Sequence, residues 1–175
     1  MKAKTLWITQ TAMLLALLIV LQAATKGFSQ LVTGSCVNAV LAITVLVVGL
    51  SSGIIVAAIS PFVAFLLGIG PQLFPIVPTI AVGNIVFVII LWTLAYKHLN
   101  DIKWKLLAWC VSSVCKFLAL YLIVVQLICR IMPLKDAQIN MFSTMFSWPQ
   151  LITALIGSAV ALLIAPQLRR VISRS

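Results

Sequence analysis

Residues 106–128 read LLAWCVSSVCKFLALYLIVVQLI, an apolar run of bilayer-spanning length with a single charge, Lys116, near its middle. A lysine at the centre of a span costs about 2.5–3.5 kcal/mol on insertion scales, so it is a functional-site candidate by default. Such a side chain faces protein or a water-filled space and wants an anion. The chain has only two acidic residues, Asp101 and Asp136, and both lie outside the apolar runs. Three readings of Lys116 follow. It contacts a carboxylate or phosphate brought by a ligand, it serves packing or coupling within a bundle, or it snorkels towards an interface.

The rest of the chain repeats the pattern. It is 63% hydrophobic and 8% charged over 175 residues, with a mean hydropathy of +1.24. A soluble domain carries about 25% charged residues. A chain this small has no interior large enough for so much apolar surface. The expected fold is an all-α integral membrane protein, a compact bundle of six transmembrane helices with both termini cytoplasmic. The net charge of +10 does not point to nucleic acid, because no basic and aromatic platform exists and the charges sit at span ends.

The expected spans cover residues 6–24, 36–50, 54–69, 79–96, 106–128 and 151–168. Ser51, Ser52 and Gly53 break the chain between the second and third. Pro61 is a kink site in the third, and residues 70–78, with three prolines, read as a structured loop. With the termini inside, the cytoplasmic segments hold Lys2, Lys4, Lys97, Lys103, Lys105, Arg169, Arg170 and Arg174, against Lys26, Arg130 and Lys135 outside. This asymmetry sets the orientation through the positive-inside rule. The outer loops are then 25–35, 70–78 and 130–149. The last is long and polar enough for a lid, or else a plain connector.

Enzyme chemistry finds no support. There is no P-loop, no paired carboxylate, no HExxH and no Ser-His-Asp set, so no catalytic residue and no metal ligand is assigned. His98 lies in the basic turn YKHLND and reads as a solvated interfacial residue. The four cysteines match no zinc spacing and read as packing residues. The start of the chain, MKAKTLW and an apolar stretch, looks superficially like a signal peptide, but the five spans after it favour a retained helix.

The polar residues inside spans are the binding candidates. Asn38, Asn84 and Lys116 suit a small polar ligand with a negative group; interhelical hydrogen bonding of the amides, worth about 0.6 kcal/mol, is the competing reading. Asn84 lies near the outer end of its span and Lys116 roughly 20 Å deep at 1.5 Å per residue. Ser112 and Ala119 share the strip of Lys116, which is more polar than Leu118 or Leu122 and should face inward. Tyr121, Gln126, Trp148 and Gln150 are weaker candidates for the same mouth. Small residues recur at packing spacing, as Ala12 and Ala16 in the first span and Gly157, Ala161 and Ala165 in the sixth. Such faces serve either internal packing or a partner.

The basic N-terminus running into TAMLLAL, the segments GSCVNAVLAI and SPFVAFLLGIGP, and the closing SWPQLITALIGSAVALLIAP with its basic tail resemble an S component of an energy-coupling factor (ECF) vitamin transporter. The resemblance spans essentially the whole chain and implies one substrate-binding domain over residues 1–175 in a bacterial cell membrane. It implies high-affinity capture of a water-soluble vitamin or precursor from outside. Uptake then needs a transmembrane coupling protein and two ATPases that use ATP; this chain itself binds no cofactor. Ala12 and Ala16 correspond to the docking face for the coupling protein. The loop at 26–35, starting with Lys26, corresponds to the closure of a pocket in the outer half. Lys116 tilts the expectation towards a carboxylate such as pantothenate or nicotinate. A membrane scaffold without cargo and a self-sufficient facilitator are the alternatives.

Overall fold

The computed structural model describes residues 2–172, and among them all regular structure is helical. The elements are α1 (Lys2–Ala24), α2 (Gln30–Val47), α3 (Leu50–Leu66), α4 (Ile76–Ala95), α5 (Ile102–Leu120), a π-helical segment (Tyr121–Ile128), the single turn α6 (Cys129–Ile131), α7 (Asp136–Met145) and α8 (Trp148–Ile172). Five helical stretches are long and apolar enough to cross a membrane, and α3, also apolar, is slightly shorter at 17 residues. Helices suit this chain because each satisfies its own backbone in lipid.

Five helices close into a ring. α2 packs along α8, α8 against α5, α5 against α4, α4 against α3, and α3 against α2. α1 leans on α2 and α3 from outside. Its buried line is Thr11, Leu18 and Gln22, spaced so that they share one face. Thr11 Oγ1 fixes the contact, 2.7 Å from Ser52 Oγ on α3 and donating to Trp7 O at 2.7 Å. Large apolar side chains such as Met13, Leu66, Leu122 and Leu163 are exposed on the outside, where a bilayer would cover them.

Several boundaries differ from the sequence reading. The break between α2 and α3 falls at Gly49, whose φ of 122° suits glycine, rather than at residues 51–53. Ser51, Ser52 and Gly53 lie in the first turn of α3. Gly53 serves close packing instead, since a β-carbon there would lie 2.7 Å from Val45 Cβ. α2 starts at Gln30, not at residue 36, and α4 starts at Ile76 with Pro78 in its first turn, where a missing N–H costs nothing. The loop expected over 130–149 carries α7, which buries Phe142 and Phe146 against Ile76, Leu120 and Val124.

Two apolar cores result. The larger joins α1, α2, α3, α4, α5 and α8 through residues such as Leu41, Val45, Leu91 and Ala161. The smaller lies under α7. Lys4, Lys97, Lys103, Lys105, Arg169 and Arg170 gather at the end of the bundle that holds the termini, whereas Lys26, Arg130 and Lys135 lie at the other. Arg174 falls outside the described residues. At the terminal end, the Arg169 guanidinium sits 3.8 Å from the Tyr96 ring centroid and donates to Tyr96 O at 2.8 Å. His98 is exposed and stacks on Trp104.

Candidate functional site

A cavity of about 360 Å³ opens between the two cores, at the end of the bundle away from both termini. That volume is within the range of roughly 300–1,000 Å³ typical of small-molecule sites. Each wall comes from a different element: Gln22 on α1, Asn38 on α2, Ser60 and Pro61 on α3, Asn84 on α4, Lys116 on α5, and Met145, Phe146 and Gln150 at the α7–α8 junction.

Lys116 is the centre of this arrangement. It is 3% exposed, and its Nζ donates to Asn38 Oδ1 at 2.5 Å and to Asn84 Oδ1 at 2.6 Å. The Phe87 ring centroid lies 5.3 Å from the ammonium. An ammonium only donates, so it turns both amide oxygens towards itself. Asn38 Nδ2 then donates to Thr153 Oγ1 on α8 at 3.2 Å, and Thr153 Oγ1 donates to Gln150 O at 3.2 Å. One lysine thus joins α5 to α2, α4 and, through Asn38, α8.

The electrostatics are one-sided. Both partners of the ammonium are neutral oxygens, and neither Asp101 nor Asp136 lines the cavity. Asp101 instead caps α5, accepting from Lys103 N at 2.9 Å. Two of the three ammonium donors of Lys116 are used, and the residue lines the cavity. The protein therefore places a buried lysine on the cavity wall with no carboxylate beside it.

Lys26 is at the mouth. It is exposed, lines the cavity, and donates to Leu67 O at 2.9 Å across the end of α3. Gly68, with φ 68°, lies under it; a β-carbon there would be 3.3 Å from Lys26 Nζ. On the opposite rim, Gln30 Nε2 and Gln150 Nε2 both donate to Met145 O, at 2.8 and 3.3 Å, and hold α7 to the start of α2 and α8.

Of the residues singled out in the sequence, Lys116, Asn38, Asn84, Lys26 and Gln150 converge on the cavity; Tyr121 and Trp148 do not reach it. Tyr121 is five residues past Lys116, about 140° round an α-helix, and its hydroxyl accepts from Gln126 Nε2 at 3.1 Å. Trp148 is 69% exposed and stacks on Phe117 with centroids 6.4 Å apart. Gln22 and Ser60 also line the cavity without having been singled out, and Gln30 and Thr33 line it from the 26–35 segment. Gln22 was visible as an amide near the end of an apolar span; a serine such as Ser60 gives no signal, because helical serines usually bond their own backbone. Ala12 and Ala16 lie on the exposed face of α1, away from the cavity.

An apolar helical bundle with a largely apolar cavity at one end, into which a few polar side chains converge, suits a membrane-embedded binding subunit. A family model for the ECF transporter substrate-specific component matches residues 7–169, and the chain belongs to that family. Its members are transporter subunits rather than enzymes. No curated protein and no solved structure matches the chain.

Proposed function

We propose that this chain captures a small water-soluble vitamin or vitamin precursor bearing a carboxylate, and passes it inward as one subunit of an ATP-driven transporter. The single observation carrying the ligand class is the Lys116 ammonium, buried on the cavity wall between two neutral amide oxygens. The crowding of basic residues at the terminal end supports cytoplasmic termini in a bacterial plasma membrane, with the cavity opening outward. A separate coupling protein would dock on the α1 face that carries Ala12 and Ala16, and its two ATPases would use the ATP. The chain acts as one substrate-binding unit and binds no cofactor itself.

The test is a thermal-shift screen of the purified protein against B vitamins, biotin, lipoate and their precursors, with mass spectrometry of co-purified small molecules. A ligand at a hundred times its dissociation constant adds about 2.7 kcal/mol of stability. A carboxylate-bearing hit is the expected result. A silent panel on folded protein counts against cargo capture and favours a cargo-free scaffold.

A further inference from the structure

Gln22 on α1 and Ser60 on α3 both line the cavity, and each carries a buried polar atom, Gln22 Oε1 and Ser60 Oγ, with no hydrogen-bond partner. Gln22 is 6% exposed and Ser60 1%. Unpartnered buried polar groups are rare in folded proteins, and each one calls for a physical reason. The local alternative was available to Ser60. Thr11, Thr25, Thr44 and Ser158 each donate to the carbonyl four residues back, whereas the Ser60 hydroxyl does not. Pro61 follows it and also lines the cavity, and a proline there withdraws the helical N–H that would reach Ala57 O. The α3 wall therefore presents polarity to the cavity where a helix would ordinarily satisfy itself.

We infer that Gln22 and Ser60 form a second polar subsite, taking a hydroxyl or amide N–H of the ligand while Lys116 holds its anion. Gln22 Oε1 can only accept, so the group it meets must donate. This inference rests on the anion-binding role proposed for Lys116. It narrows the substrate class to acids that carry a hydrogen-bond donor remote from the carboxylate. Acids that end in a ring or chain with no donor leave both atoms unpaired and bind poorly.

The experiment is calorimetric titration of the full-length protein with four acids: pantothenate and biotin, which carry remote N–H or O–H donors, and nicotinate and lipoate, which carry none. At least one of the first pair binds, about tenfold or more tighter than either of the second. Gln22→Leu and Ser60→Ala each weaken the bound acid by about tenfold. The melting temperature of either ligand-free variant stays level or rises, because a buried unpaired group has been removed. A structural role would lower it. Nicotinate or lipoate binding as well as the donor-bearing acids overturns the inference, as does unchanged affinity in both variants. If those variants bind normally while Lys116→Ala does not, the second subsite fails and the anion site stands. A silent panel on folded protein overturns both.

Discussion

Gly157 on α8 lies so close to Asn38 on α2 that a β-carbon at position 157 would be 2.5 Å from Asn38 Cβ and 2.6 Å from Ala39 N. Close approach of this kind needs a residue without a side chain. It fixes the amide that meets Lys116, and Thr153, one turn earlier on α8, accepts from that same amide. Gly157→Val should therefore cost about 1–3 kcal/mol through overpacking and also weaken ligand binding by displacing Asn38. Gly27→Ala is the control, since a β-carbon there meets nothing within 4 Å. Melting curves and titrations of the two variants check this; equal behaviour would remove any role for the α2–α8 contact in shaping the site.

Replacing Lys116 with methionine keeps the unbranched stem as far as Cε and removes the ammonium. Asn38 Oδ1 and Asn84 Oδ1 lose their shared donor. Each buried oxygen left unpaired costs about 1–3 kcal/mol, so Lys116→Met should lower stability as well as affinity. Adding Asn84→Leu should restore part of the stability and none of the binding. We expect the affinity loss to exceed about tenfold in both variants, given that a charged partner is removed. Recovery of binding along with stability would make Lys116 a packing residue.

The bundle was legible because apolar runs of spanning length have few other folds open to them. The helix starts were less so, for reasons visible in single residues. Gln30, Thr33 and Ser35 look like loop residues, yet they belong to α2, where Gln30 bonds Met145 O and Thr33 Oγ1 bonds Thr25 O. That longer α2 puts Asn38 eight residues inside it, roughly 12 Å at the rise of an α-helix, level with Asn84 in α4. Lys116 reaches the same level although the helical stretch that carries it runs on past α5 to Ile131. The stretch beyond it is wound as π-helix under α7, and its long side chain bonds both amides. The convergence of Lys116, Asn38 and Asn84 depends on three helix registers at once, which no local pattern encodes. The same holds for Tyr121 and Trp148, whose side chains turn to Phe117 and away from the cavity.

Under the proposed function, Lys26 acts at a different stage from Lys116. It is exposed at the mouth, so its charge is felt by an approaching anion and screened by salt. Lys26→Ala should slow association several-fold at low ionic strength and leave dissociation nearly unchanged. The difference should fade as salt is raised. Its bond to Leu67 O is exposed, and stability should change by less than about 0.5 kcal/mol. Stopped-flow binding at two salt concentrations decides it. A change confined to dissociation would mean that Lys26 touches the bound ligand instead of steering it.

Ala12 and Ala16 take no part in the internal packing of α1, whose inward line is Thr11, Leu18 and Gln22. A small-residue face turned outward on a helix lets a second helix approach closely. If that second helix belongs to the coupling protein, bulk at either position blocks docking without touching the cavity. Ala12→Leu and Ala16→Leu should leave the melting temperature and ligand affinity of the isolated chain unchanged, because neither side chain is buried. Uptake by cells carrying the complete transporter should fall by about tenfold or more, matching the loss of a well-packed contact. Parallel loss of binding and uptake would point to a folding defect. Unchanged uptake with intact binding would place the docking face elsewhere on the bundle.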